Sequence, residues 1–193
     1  MLHTCAVKLV DQIFLHCALP TEKRAIYIYG VELGCSTLWT CTFILLLSFL
    51  LGQALNCILF LGVFISLRLF AGGYHAETYR NCFILTTCTY VATIGLSWIL
   101  VNQKESFVHY SILALSLILI WIFTPIRNHH HPLTETSYRR NKRISRMLAA
   151  VEAAVTLLLY LVSGNSQFLS IVTASFAAVA VMMIIPKIQE RGV

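Results

Sequence analysis

The chain has 193 residues, of which 58% are hydrophobic and 11% are charged, and its formal net charge is +6. A soluble domain averages about 45–50% apolar and about 25% charged residues, so the composition excludes a water-soluble globular protein. The basic residues are dispersed between apolar segments, which argues against a nucleic-acid partner and favours contact with anionic lipid headgroups.

Residues 1–20 carry no pattern of a cleaved signal peptide and instead predict an amphipathic helix that lies in the membrane interface. Apolar side chains recur at steps of three and four, at Leu2, Ala6, Leu9, Val10, Ile13, Phe14 and Cys17. The bilayer is therefore an expected partner from the first residues onward.

Six apolar segments follow, each long enough for a membrane-spanning helix of about 20 residues. They are residues 25–51, 53–70, 76–101, 106–124, 144–162 and 168–185. Pro125 is expected to close the fourth span and Pro186 the sixth, and residues 126–143 are expected to form one long polar loop. The prediction is an all-α polytopic membrane protein whose residues 1–193 form a single domain.

The distribution of basic residues predicts the orientation of these spans. If both termini are cytoplasmic, thirteen of the 14 lysines and arginines lie on the cytoplasmic side, and only Lys104 lies outside. Such an excess follows the positive-inside rule and requires an even number of spans. The segment from Arg68 to Cys82 then faces the cytoplasm, where thiols stay reduced.

That segment, R-L-F-A-G-G-Y-H-A-E-T-Y-R-N-C, concentrates reactive side chains between two apolar runs. A thiol attacks as its thiolate, and a histidine can remove the proton, so His75 and Cys82 are the predicted catalytic pair. On one unbroken helix they would lie about 10.5 Å apart along the axis. The chain must therefore break, and the pair Gly72-Gly73 permits a sharp turn. We expect His75 in a re-entrant loop and Cys82 inside the following helix.

Other residues of the segment are predicted to support this pair. Arg68 and Arg80 would favour the thiolate, and the N–H groups at Gly72 and Gly73 would form an oxyanion hole. Glu77 is a candidate for orienting the histidine. Cys88 is the rival nucleophile, but it lies deeper in the apolar run and has no neighbouring histidine.

The motif R-x-x-x-G-G-x-H-A, followed by a cysteine seven residues after the histidine, resembles the AgrB family. It comprises Arg68, Gly72, Gly73, His75, Ala76 and Cys82. AgrB proteins are membrane endopeptidases of accessory gene regulator quorum sensing in Gram-positive bacteria. The resemblance implies cleavage of a short AgrD-like precursor with an acidic C-terminal tail, through an acyl-thioester on Cys82. It further implies thiolactone or lactone ring closure and a homodimer in the bacterial cell membrane.

Basic residues are also concentrated between Arg127 and Arg146. They serve as topology signals or, as the resemblance suggests, as a docking surface for the acidic tail; the proposed substrate-binding residues are Arg139, Arg140, Lys142 and Arg143. His129, His130 and His131 are consecutive and have no accompanying ligand spacing. We therefore predict no metal and no cofactor.

Two acidic residues lie deep in predicted spans, Glu32 and Glu152. Carboxylates in lipid are costly unless they are paired, so we expect pairing with juxtamembrane arginines, with substrate binding or orientation of the histidine as the alternative. An exporter without its own chemistry is the competing function, and a sensor or membrane adaptor is a third. The exporter would need polar side chains along a path through several spans.

Overall fold

The computed structural model describes residues 2–16, 22, 24–72, 78–103, 106–126 and 134–191. These residues form seven helices and no strand, which confirms the all-α prediction. The helices are α1 (Leu2–His16), α2 (Arg24–Leu50), α3 (Ala54–Ala71), α4 (Tyr79–Val101), α5 (Ser106–Phe123), α6 (Glu135–Ser163) and α7 (Ser166–Arg191).

Five of the helices, α2, α3, α4, α6 and α7, are long and apolar enough to cross a membrane. In α5 the apolar stretch Phe107–Phe123 is shorter and lies at the lower end of the range of about 17–25 residues that can span a bilayer. Pro125 lies two residues after the last residue of α5, close to the predicted end of the span. The chain is a polytopic all-α membrane protein.

The centre of the bundle is α7, which packs against α3, α4, α5 and α6. Two thirds (67%) of its spanning window is buried, compared with 17% for α2. Small side chains at the centre, including Ser170, Thr173, Ala174 and Ser175, are fully buried. Small residues let helix backbones approach closely in a membrane, which allows α7 to occupy the core. The low burial of α2 places that helix at the edge of the bundle.

Large apolar side chains cover the outside of the bundle. Among them are Trp39, Phe49, Trp98, Phe107 and Leu161. A soluble monomer rarely exposes apolar patches of this extent, whereas lipid tails solvate them without penalty. The exposed surface therefore agrees with the composition.

Hydrogen bonds connect α3, α5 and α6 at one end of the bundle. The Ile126 N–H donates to the carbonyl of Ala71 (2.9 Å), which joins the segment after α5 to the end of α3. The Arg146 guanidinium donates to the Trp121 carbonyl (3.1 and 2.6 Å), which ties α6 to α5. The end of α3, the end of α5 and the first turns of α6 thus meet in one region.

The predicted polar loop over residues 126–143 is wrong from Glu135 onward, because α6 begins there. The Thr134 hydroxyl caps this helix by accepting from the Ser137 N–H (3.3 Å), and the Glu135 carboxylate accepts from Arg139 one turn later (3.0 Å). Hydropathy detects the apolar part of a helix and misses polar turns that extend beyond the membrane.

Two further boundaries differ from the prediction. Pro186 does not end the last span but lies inside α7, which continues to Arg191. A proline removes one backbone donor, and a helix in a membrane tolerates that loss. At the third span, α4 begins at Tyr79 rather than at residue 76.

The N-terminal amphipathic helix is present as α1, and it packs against α2. Ala6 and Val10 are buried in a cluster with Ile28, and the Arg24 guanidinium donates two bonds to the Asp11 carboxylate (2.9 and 2.6 Å). The amphipathic pattern therefore stabilises a helix–helix contact. Its location in the membrane interface stays a prediction.

Candidate active site

The segment singled out in the sequence lies at a break between two helices. Helix α3 ends at Ala71, and α4 begins at Tyr79, so no continuous helix runs through the motif. Gly73, His75 and Glu77 lie outside the described residues, and the predicted re-entrant loop and His75–Cys82 contact stay predictions.

Gly72 closes α3 in a backbone conformation that favours glycine. Its φ is 75° and its ψ is −148°, and its N–H donates to the carbonyl of Arg68 (3.1 Å). This region of φ/ψ space is essentially restricted to glycine. A Cβ added at Gly72 would lie 3.2 Å from the carbonyl oxygen of Ile126. The position requires glycine for its dihedral angles and for the close approach of Ile126.

Cys82 lies in the first turn of α4, in agreement with its predicted place inside a helix. The Thr78 hydroxyl caps that helix by accepting from the Asn81 N–H (3.2 Å), and the Cys82 N–H donates to the Thr78 carbonyl (3.0 Å). The thiol is partly exposed and free. The cap therefore holds Cys82 at the start of the helix.

Cys82 lines a cavity with a volume of 340 Å³. Its wall also contains Arg68 and Gly72, two other residues of the predicted motif. The remaining wall comes from α2, α3, Thr86 of α4, Pro125, Ile126 and the start of α6. Three of the predicted site residues thus meet at one cavity.

The guanidinium group of Arg68 is a cationic group at the wall of this cavity. It lies over the Phe64 ring, 5.3 Å from the ring centroid, an arrangement that stabilises a cation in apolar surroundings. Arg80 is exposed and is not part of the cavity wall. Of the two arginines predicted to favour the thiolate, Arg68 lines the cavity and Arg80 does not; the effect on the thiolate stays a prediction.

One wall of the cavity is a polar stripe on α2 that the sequence analysis missed. It consists of Ser36, Thr37, Thr40 and Cys41. Residues four apart share a helix face, so this spacing of polar residues inside an apolar span could have indicated the stripe. Cys88, the rival nucleophile, is exposed and does not line the cavity.

A second concavity, the basic groove, lies beside the first turns of α6. Its volume is 460 Å³, and it is lined by Trp121, Arg139, Lys142, Arg143, Arg146, Met147 and Ala150. Three of the four residues predicted to bind substrate share this groove. Arg140 lies outside it, because neighbouring residues of a helix point in different directions.

Glu32 and Glu152 do not pair with arginines in the described residues, so that expectation is wrong. The Tyr79 hydroxyl donates to Glu32 Oε2 (2.8 Å), and His3 Nδ1 lies 2.5 Å from Glu32 Oε1. The Ser66 hydroxyl donates to Glu152 Oε1 (2.6 Å). Two hydroxyl groups and an imidazole nitrogen thus contact these carboxyl oxygens in place of the expected arginines.

No group of three or more histidine, cysteine or acidic side chains that could hold a metal occurs among the described residues. His129, His130 and His131 lie outside the described residues. The predicted absence of a metal site stays a prediction.

The fold and the cavity define a polytopic membrane protein with a candidate cysteine site at the end of its helix bundle. The family model of AgrB, accessory gene regulator B, matches residues 6–185. Because this match covers most of the chain, the protein belongs to the AgrB family, which takes part in quorum-sensing peptide processing. No match was found among curated proteins or among solved structures.

Proposed function

We propose that this protein is a cysteine endopeptidase that removes the acidic tail from an AgrD-like precursor and promotes ring closure of the pheromone segment. The observation that carries the proposal is the placement of Cys82, Arg68 and Gly72 around one cavity in a chain of the AgrB family. The proposed active site faces the cytoplasm of a bacterial cell membrane, as do both termini, and the protein acts as a homodimer.

In the first step, His75 takes the proton of the Cys82 thiol, and Sγ attacks the carbonyl carbon between pheromone and tail. The C–N bond breaks, His75 returns the proton to the departing amine, and an acyl-thioester on Cys82 remains. The Gly72 N–H already donates to the Arg68 carbonyl, so the predicted oxyanion hole loses that donor. We propose that the Gly73 N–H stabilises the oxyanion.

In the second step, a cysteine or serine side chain of the bound peptide attacks the thioester carbonyl. A new thiolactone or lactone bond forms, the bond to Cys82 Sγ breaks, and the proton of the attacking group passes to the released thiolate. Ring closure must be faster than hydrolysis of the acyl-thioester. Apolar side chains such as Leu33, Leu61 and Ile65 line much of the cavity and restrict water there.

The cavity is small compared with a whole precursor. Ligand sites usually enclose about 300–1,000 Å³, so 340 Å³ accommodates a few residues around the scissile bond. The rest of the precursor must lie against the bilayer or against surfaces near the cavity. Arg68, held over Phe64 at the cavity wall, supplies a positive charge that favours the thiolate.

The proposal is tested by co-expressing the protein with a candidate precursor and analysing the products by mass spectrometry. We expect a freed tail, a cyclic product and an adduct on Cys82 that hydroxylamine releases. An exporter without its own chemistry would transport the precursor uncleaved. Absence of both the tail and the adduct, when a cognate precursor is present, would therefore favour the exporter.

The basic groove is the proposed docking surface for the acidic tail. Arg139 pairs with Glu135, and Arg146 bonds the Trp121 carbonyl with its guanidinium 4.8 Å from the Trp121 ring centroid. Lys142 and Arg143 have no ion-pair partner among the described residues and are therefore available to a carboxylate. Arg140 does not line the groove, so we leave it out of the proposed docking surface.

We expect the double substitution Lys142→Gln and Arg143→Gln to raise the KM for precursor about tenfold with little change in kcat. Exposed ion pairs contribute up to about 1 kcal/mol each. Losing two of them weakens binding of the precursor and leaves the chemical step unchanged. The measurement is steady-state cleavage in proteoliposomes at several salt concentrations. Arg140→Gln is the matched control, and an equal effect of that change would contradict docking in the groove.

A further inference from the structure

The carboxylate of Glu32 links three helices beside the candidate active site. Its Oε2 accepts from the Tyr79 hydroxyl at the start of α4 (2.8 Å), and its Oε1 lies 2.5 Å from Nδ1 of His3 on α1. Glu32 itself belongs to α2 and is 9% exposed. These contacts join α1, α2 and α4 through one buried carboxylate.

Tyr79 is the first residue of α4 and lies one helical turn before Cys82. Residues three apart share a helix face, so Tyr79 and Cys82 lie side by side on the first turn. The first backbone N–H groups of a helix have no intrahelical acceptor, and a terminal turn frays unless other contacts hold it. A side-chain bond from Tyr79 to a buried acceptor restrains this turn and the thiol on it.

The other partner of Glu32, His3, belongs to α1, which packs against α2. Ala6 and Val10 bury α1 against Ile28 of α2, and the double hydrogen bond between Arg24 and Asp11 connects α1 to the first residue of α2. The His3 side chain is 74% exposed, whereas that of Glu32 is 11% exposed. His3 therefore covers the carboxylate from the outer side and orients it toward Tyr79.

We propose that Glu32 is a positioning residue for Cys82, which holds the first turn of α4 through Tyr79 while His3 of the N-terminal helix holds Glu32. This inference rests on the proposed function, because the consequence of the contact is the placement of the nucleophile. It assigns α1 a part in the reaction: its docking sets the geometry of the carboxylate that restrains α4.

The test is a double-mutant cycle between Tyr79→Phe and Glu32→Ala, measured as steady-state cleavage of precursor in proteoliposomes. We expect each change to lower kcat about tenfold with an unchanged KM, because a small displacement of a reacting group is costly. The double variant should lose no more than the worse single variant, since both changes remove the same bond. Glu32→Gln, whose side-chain carbonyl still accepts from Tyr79, should stay within about threefold of wild type.

Alkylation of Cys82, resolved by peptide mass spectrometry, supplies a readout that does not depend on cleavage. Its rate relative to Cys88 should fall in Tyr79→Phe and in Glu32→Ala but not in Tyr27→Phe. The last change removes a tyrosine hydroxyl that has no hydrogen-bond partner among the described residues.

Two outcomes would overturn the inference: wild-type kcat in Tyr79→Phe, or independent, multiplying effects in the double variant. The proposed function fails by a different result, namely cleavage that persists when Cys82 is replaced. If Cys82→Ala is inactive while Tyr79→Phe is normal, only the positioning role is lost.

Discussion

Replacing Cys82 by alanine is expected to abolish cleavage of the precursor, with a loss of at least about a thousandfold in rate. The side chain is the proposed covalent nucleophile, and it lines the cavity together with Arg68 and Gly72. His75→Ala should cause a loss of similar size, because the thiol then lacks its base. The measurement is release of the free tail, followed by mass spectrometry, from membranes that contain equal amounts of each variant.

The other cysteines supply matched controls for this result. Cys88 lies on the same helix, is exposed and does not line the cavity, so Cys88→Ala should cleave at the wild-type rate. Cys41 lines the cavity from α2, and Cys41→Ala should alter KM by a few fold while cleavage continues. Persistent cleavage in Cys82→Ala, or its loss in Cys88→Ala, would contradict the assignment of the nucleophile.

Substitution of Gly72 by alanine is expected to produce a smaller loss than Cys82→Ala or His75→Ala. With φ at 75° and ψ at −148°, a Cβ is strained by about 1–3 kcal/mol, and it also meets the Ile126 carbonyl oxygen at 3.2 Å. Relief of that strain must move the end of α3 or the segment after α5, both of which form the cavity wall. We expect the cleavage rate to fall at least about tenfold.

Gly62 provides the control for Gly72, because it lies in the middle of the same helix and a Cβ there would meet nothing within 4 Å. Gly62→Ala should insert and cleave as wild type does, since alanine favours the helix by about 0.5–1 kcal/mol over glycine. Size-exclusion profiles of the fluorescently tagged variants show whether each protein remains folded. A folded Gly72→Ala protein with full activity would show that the tight approach of Ile126 has no role in the site.

The hydropathy of the chain was sufficient to predict most of the helices, because a bilayer imposes one length and one composition on every helix that crosses it. It failed where a helix leaves the membrane. The first turns of α6 are polar, so Arg139 and Lys142 were assigned to a loop, although a threonine cap and an ion pair make them helical.

The partners of buried polar groups were the least predictable part of the site. Glu32 was expected to pair with an arginine, yet it bonds Tyr79 and His3. These residues are 47 and 29 positions away in sequence, and only the packing of α1 and α4 on α2 brings them together. Likewise, Cys41 lines the cavity because one face of α2 packs against α3 and α4. The sequence alone does not show which face of α2 this is.

The sequence by itself determined the membrane class, the N-terminal amphipathic helix and the end of a helix at Gly72, because each depends on local composition or backbone freedom. It also marked Cys82 as the candidate nucleophile from the residue types around it. Only the tertiary structure decided which of these residues share a wall with Cys82, which cations form the basic groove and which side chains hold Glu32. Those relations depend on the rotation and packing of whole helices, and the distances they set join residues far apart in the chain.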